Sequence, residues 1–230
     1  MAFVRIEAGR FLMGSPPEEP GREAQERQHE VRLSRPFWLG AFEVTQRQWR
    51  LVMGDDPSWF RSGGDTLPVE NVTWFQAREF LERLSRRSPG NRFRLPTKAE
   101  WEHACRAGTT TAYSTGPTLS AAQADFAETP ERAASGHTMK VGSFAPNPWG
   151  LYDMHGNVWE WTEDNYCPYQ DGPTTDPAAG CESPLKVIRG GSWYFGPDSA
   201  RCALRYTHRP QDRGFSLGFR AVREPATSER

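Results

Sequence analysis

Sulfur, imidazole and carboxylate are the groups that could carry chemistry in this chain, and their spacing restricts what they do. The four cysteines, Cys105, Cys167, Cys181 and Cys202, stand far apart with no CxxC pair, which excludes a zinc ribbon and a thioredoxin-type motif. By themselves they read as isolated core thiols. The histidines at 29, 103, 137, 155 and 208 show no metal-ligand spacing. Glu100 and His103 form a single Glu-x-x-His pair, a pattern that carboxylate-bridged di-iron bundles use twice, so His103 reads as an ordinary helix side chain. Neither a Gly-rich phosphate loop nor a nucleophile elbow is present, and nucleotide and acyl-transfer chemistry have no support. Near the carboxyl end, Tyr194, Phe195, Ser199, Leu204, Tyr206, Thr207, His208, Arg209, Phe215 and Ser216 stand among Arg201, Arg205 and Arg213. Tyr, His, Arg and Ser in a coil-rich stretch combine rigid contact area with adaptable hydrogen bonding, as antibody loops do. The alternative is that these aromatics fill the core beneath the coil.

The elements that must position these groups are short. Phe3 to Gly14 suits an edge hairpin turning at Ala8-Gly9, and residues 15 to 30, polar and Pro-rich, read as a surface loop. Val31 to Leu33 and Phe37 to Val44 suit two strands, after which Thr45 caps an amphipathic run carrying Trp49, Leu51, Val52 and Met53. A loop at 54 to 68 leads to a helix capped by Thr73, with Phe75, Ala77, Phe80, Leu81 and Leu84 at helical spacing, stopped by Ser88-Pro89-Gly90. Thr97 and Glu100 form a capping box for a second helix ending at Gly108. Ala121 to Ala134 is one weak helix or mostly coil. Val158 to Thr162, Lys186 to Ile188 and Phe219 to Arg223 read as strands, and no internal repeat suggests a solenoid or propeller.

A chain of 230 residues is one domain, residues 1–230, at roughly 100 to 250 residues per domain. Its 28 Lys+Arg balance 29 Asp+Glu, leaving a net charge of −1 and no one-signed field for nucleic acid or an anionic membrane. No window approaches 18 uninterrupted apolar residues, and MAFVRIEAGRFLMGS lacks the apolar stretch of a signal peptide, so the expectation is a cytoplasmic protein without membrane insertion. The apolar fraction of 37% with 21 Gly and 19 Pro predicts a loop-rich fold, whose core the nine Trp, six Tyr and 13 Phe must fill. Lysine occurs only at 98, 140 and 186, an arginine excess read as compositional bias.

Seven separated blocks carry a resemblance: FVRIEAGRFLMGS at 3 to 15, FEVTQRQW at 42 to 49, LPVENVTW at 67 to 74, RLPTKAEWEHACRAG at 94 to 108, NPWGLYDMHGNVWEWTED at 147 to 164, IRGGSW at 188 to 193 and LGFRAVRE at 217 to 224. The sequence resembles the formylglycine-generating enzyme and sulfatase-modifying factor family over nearly its whole length. The resemblance implies an α+β, C-type-lectin-like fold, loop-rich with short strands and two main helices. The family's oxidase activity depends on two copper-binding cysteines shortly after the GGS segment, and soft thiolates suit Cu(I). By alignment to that pattern they fall on Phe195 and Ala200, neither of which carries sulfur, so cysteine-to-formylglycine oxidation is not implied and no copper is expected. Cys105 and Cys202 match positions where the family often carries a structural disulfide, a closure contributing ~4 to 5 kcal/mol, although a reducing cytosol would keep both thiols free. The family's second disulfide has no partners here, with Leu81 and Ala221 near its positions. Cys167 and Cys181 share one loop within pairing distance along the chain, and read as two free thiols.

Gly156, Asn157, Val158 and Glu160 resemble the family's calcium loop, whose carbonyl and carboxylate oxygens suit a hard cation, so structural calcium is an expectation; the competing reading is that Asn157 and Glu160 simply bond the loop around them. A second calcium site, near Asp125, lacks its aspartate in the Ser135 to Thr138 stretch. Variable proteins of diversity-generating retroelements share this fold and vary residues between RGGSW-like and GFR-like segments, which matches the residue types found between 194 and 216. Two function classes follow. One is a non-catalytic lectin-like module binding a protein or other ligand through residues 194–216. The other is a metal-dependent oxidoreductase with altered chemistry, related to formylglycine-generating and sulfoxide-synthase enzymes, with Ser192, Trp161 and Arg205 near the former pocket.

Overall fold

The computed structural model describes residues 1–177 and 181–225. Among these residues, three small sheets and four α-helices make an α+β fold. β1 (Phe3–Ile6), β4 (Phe37–Gly40), β11 (Val222–Pro225) and β5 (Asn91–Arg94) form one sheet in the order β1-β4-β11-β5. β10 (Leu217–Gly218), β6 (Trp159–Asn165), β8 (Lys186–Arg189) and β9 (Tyr206–His208) form the second in the order β10-β6-β8-β9. β2 (Gly9–Met13), β3 (His29–Leu33) and β7 (Thr174–Thr175) form the third. The expected amino-terminal hairpin is therefore absent. β1 pairs with β4 and β2 with β3, so the Glu7-Ala8 link carries the chain from one sheet to another instead of folding it back.

The helices begin where their caps predict. In α1 (Gln46–Met53), α2 (Trp74–Arg87) and α3 (Lys98–Arg106) a threonine hydroxyl accepts from the third backbone amide, while the Gln48, Gln76 or Glu100 side chain accepts from the threonine's own amide. α1 ends at Gly54, where φ of 91° suits a residue without Cβ. The weak 121–134 stretch is coil that ends in α4 (Pro130–Ser135). Of the predicted Phe219–Arg223 strand only Val222 and Arg223 are paired, at the start of β11; β10 lies just before it, and Phe219, between the two, is a core side chain.

Aromatics supply the core, as the shortage of aliphatics requires. Trp49 stacks on Phe80 with ring centroids 5.5 Å apart, and Phe219 meets Phe80 edge-on at 5.5 Å. A second cluster gathers Ile6, Met13, Leu39, Trp101 and Leu151 around α3. The 15–30 segment departs from its reading as a surface loop. Ser15, Glu19 and Glu26 are buried, because Arg201 reaches both glutamates at 2.7 Å from beneath. No helix among the described residues is long and apolar enough to cross a membrane.

Candidate recognition surface

Fully buried arginines fasten the carboxyl-terminal segment to the body. Arg189 holds Glu102 at 2.7 Å and the Cys202 and Leu204 carbonyls at 2.9 and 2.7 Å. Arg220 grips both oxygens of Glu160, at 2.6 and 2.7 Å, with both residues wholly buried. Buried charges persist only when paired and hydrogen-bonded, so each guanidinium fixes the loops on either side of it. The arginine excess read as bias is, at these positions, internal scaffolding.

The loop proposed for calcium meets the same scaffold. Glu160 receives Trp101 Nε1 at 2.7 Å in addition to Arg220, and Asn157 accepts from the Met139 amide at 3.0 Å and donates to Glu43 at 3.0 Å. The Asn157 carbonyl accepts from the Trp193 amide. Of Gly156, Asn157, Val158 and Glu160, none brings an uncommitted side-chain oxygen to a common point. The side-chain oxygens of Asn157 and Glu160 are thus engaged within the protein, as the competing reading of this loop has it. The loop also positions Asp125: the Asn157 amide donates to the Asp125 carbonyl at 2.8 Å, and Gly156, at φ of 91°, packs so close to that carbonyl that a Cβ has no room. Burial raises the carboxyl of Asp125 to about 6 and that of Glu43 well above its ordinary range, the latter also pushed by Asp153.

On the far side of this scaffold lies a continuous band of rings. Tyr194, Phe195, Tyr206 and Phe215 are 42, 38, 46 and 39% exposed. Phe195 lies 5.5 Å from Tyr194 and 6.4 Å from Tyr206, and Tyr194 lies 5.4 Å from Phe215. Beneath them, buried Trp159 stacks on Tyr206 at 5.5 Å, and Trp193 packs against Tyr194 and Phe215 at 5.4 and 5.5 Å. Phe60, from the 54–68 loop, extends the band beyond the predicted residues by touching Trp193 and Phe215. Phe60 and Trp193 escaped the sequence reading because nothing in their local pattern marks them; only the fold brings residue 60 to residue 215. Trp193 Nε1 is buried with no hydrogen-bond partner among the described residues.

The predicted binding residues divide. Tyr194, Phe195, Tyr206, Arg209 and Phe215 are exposed, and Ser199, Thr207, His208 and Ser216 are half-buried. Leu204 is a correction: it is 6% exposed and packs in the main core, where its carbonyl is held by the buried Arg189 guanidinium at 2.7 Å. A cavity of about 190 Å³ beside Lys98, Tyr169 and Cys181 and a groove of about 430 Å³ along α2 and β5 are lined by none of the band residues. The band is a surface, suited to a broad partner.

The cysteines also correct the reading. Cys105 and Cys202 form a disulfide, and so do Cys167 and Cys181, expected as free thiols. The loop that carries the second pair folds back on itself, with Asn165 donating to the Cys181 carbonyl at 3.0 Å. His155 lies against the first pair. Burial lowers it to about 4, its Nδ1 donates to the Ala200 carbonyl at 2.8 Å, and Ser114 faces its Nε2 at 2.9 Å. His103, also lowered to about 4 by burial, sits between the rings of Phe11 and Trp149, each 4.9 Å away, while Glu100 binds Arg94, so the two are not a ligand pair. The residues named for altered oxidoreductase chemistry hold structural posts. Trp161 donates to the Val72 carbonyl, Ser192 accepts from the Tyr194 amide, and Arg205 donates to the Cys167 and Gln25 carbonyls while stacking on Tyr169 at 3.7 Å.

The model of the sulfatase-modifying factor enzyme 1-like domain matches residues 1–225. The chain belongs to this family. Its relatives within the family include serine/threonine-protein kinase pkn1 of Chlamydia caviae, 32% identical across 96% of this chain and 38% of that protein. The formylglycine-generating enzyme of Streptomyces coelicolor is 33% identical across 82% of this chain and 61% of that enzyme. The chain thus spans less than two thirds of the length of either. Solved structures of similar shape include Treponema denticola variable protein 1, with a TM-score of 0.85 at 28% identity over 97% of this chain and 95% of that one. PvdO from Pseudomonas aeruginosa gives 0.84 at 31% identity over 96 and 94%. Phe195 and Ala200, the positions that the resemblance marks for copper cysteines, carry no sulfur, and Phe195 is part of the aromatic band.

Proposed function

We propose that this chain is a non-catalytic binding module of the sulfatase-modifying factor family, and that the band from Phe60 to Phe215 takes a protein partner. The observation that carries the reading is the exposure of Tyr194, Phe195, Tyr206 and Phe215 in one contiguous strip. Exposed, rigid aromatics held by a buried frame are what interface hot spots use, whereas side chains serving the core would be covered. The balanced charge of the chain gives no support to nucleic acid or membrane as the partner. The likeness to Treponema denticola variable protein 1 supports the finer reading that residues 194–216 are a diversified surface. A near-copy of that segment and a reverse transcriptase gene in the neighbouring DNA would bear this out, and the absence of both would sink it.

The test replaces Tyr194, Phe195, Tyr206 and Phe215 by Ser together. The expected result is an unchanged melting temperature with loss of a partner that the unaltered chain retains on a column of source-cell proteins. A large drop in melting temperature would show that the rings serve the core, and oxygen uptake with a cysteine-containing peptide would return the chain to the oxidases.

A further inference from the structure

The Cys105–Cys202 disulfide has a third donor beside it. His155 Nδ1 lies 3.9 Å from Cys105 Sγ, and both sulfurs and a ring nitrogen lie within 4.8 Å of one another. Among the described residues, no other group of three His, Cys, Asp or Glu side chains brings its ligand atoms so close. The three residues are 0, 7 and 0% exposed and come from α3, the loop before β6 and the segment after the 3-10 turn at Pro197–Ala200. They are different residues from positions 195 and 200, where the family's oxidases hold their copper.

We propose that, once reduced, Cys105, Cys202 and His155 form a three-coordinate site for a soft monovalent cation, Cu(I), and that disulfide and metal are alternative occupants of one place. A dithiol reductant gives two electrons and two protons to the sulfur–sulfur bond and itself closes to a disulfide, leaving two thiols. Cu(I) then displaces both thiol protons and binds two thiolates and the neutral imidazole. Thiolate and imidazole donors select soft cations. Zn(II) completes four positions, whereas this buried pocket offers three, a number that satisfies Cu(I). Ligation through Nδ1 moves the ring proton to Nε2, toward Ser114 Oγ at 2.9 Å, and the Ser114 amide, which donates to Nε2 at 3.1 Å in the unligated ring, gives up that bond. The Ala200 carbonyl loses its partner in the exchange. Buried Arg189, paired with Glu102 at 2.7 Å, holds the Cys202 carbonyl at 2.9 Å and so fixes the segment that carries one of the two sulfurs. The thiol poise of the surroundings then decides which occupant is present.

The test uses the full chain carrying Cys167→Ser and Cys181→Ser, which leaves Cys105 and Cys202 as its only sulfurs able to form thiolates. Reduced with dithiothreitol, desalted without oxygen and titrated with Cu(I) against bicinchoninate, it is expected to take one Cu(I) per chain, while the oxidised form takes none. His155→Phe is expected to weaken binding at least about tenfold with the oxidised fold unchanged by circular dichroism. Uptake by the oxidised form, no uptake by the reduced form, equal affinity in His155→Phe, or tighter binding of Zn(II) than of Cu(I) would each overturn the proposal. If reduction unfolds the chain, Cu(I) is expected to restore the dichroism, and failure to do so overturns it as well. If the double serine variant does not fold, the unaltered chain is compared with His155→Phe, and equal affinity again decides against the site.

Discussion

Glu70 links the stability of the fold to the recognition band, and its replacement by Gln separates the two states of one proton. Its side chain is wholly buried, one oxygen accepts the Phe60 amide at 2.9 Å, and the other has no hydrogen-bond partner among the described residues. Burial raises the carboxyl from 4.5 to about 7, against the lowering effect of the Phe60 and Trp59 amides. Below pH 4.5 folded and unfolded chains both hold the proton. Between pH 4.5 and about 7 the folded chain keeps a proton that the unfolded chain releases, so stability falls as pH rises. At about 1.4 kcal/mol for each pH unit, the loss reaches about 3 kcal/mol and is complete above pH 7. Glu70→Gln mimics the protonated acid at every pH. It is therefore expected to match the unaltered chain at pH 5 and to exceed it by about 2 to 3 kcal/mol at pH 8, or about 5 to 10 °C in melting temperature. The assay is thermal melting of both proteins from pH 5 to 8, read as their difference so that Glu43, Asp125 and Asp153, also raised by burial, cancel. Parallel curves across that range would refute the reasoning.

Three further outcomes follow from the buried frame. Arg220→Met leaves Glu160 as an uncompensated buried charge and is expected to cost about 3 to 5 kcal/mol by urea unfolding, with much of it recovered by adding Glu160→Gln; a loss below about 1 kcal/mol would contradict the pairing. Gly156→Ala drives a Cβ into the Asp125 carbonyl at a left-handed position and is expected to lose more than about 2 kcal/mol or to fail to fold, which a soluble variant with unchanged melting would disprove. Chelation with EGTA is expected to shift the melting temperature by less than about 1 °C, since Glu160 is already neutralised by Arg220; a fall of several degrees would restore calcium to the loop.

The local signals were legible in the sequence because they act over three or four residues. Thr45, Thr73 and Thr97 mark helix starts through hydrogen bonds closed within one turn, and the structure begins α1, α2 and α3 one residue after each. The exposed character of Tyr194, Phe195, Tyr206 and Phe215 also followed from residue types set in coil. What pairs with what was not legible. Phe3 to Gly14 looks like a hairpin because turn residues lie between two apolar runs, yet each run finds its partner some 20 to 40 residues away. Leu204 and the arginines at 189, 201 and 220 illustrate the same limit. An arginine is polar in any sequence count, and only the tertiary structure, by bringing Glu102, Glu26 and Glu160 to meet these three, makes it an interior residue. Cys105, Cys202 and His155 converge for the same reason. Their spacing carries no ligand pattern, and it is the packing of three separate segments that sets two sulfurs beside one imidazole.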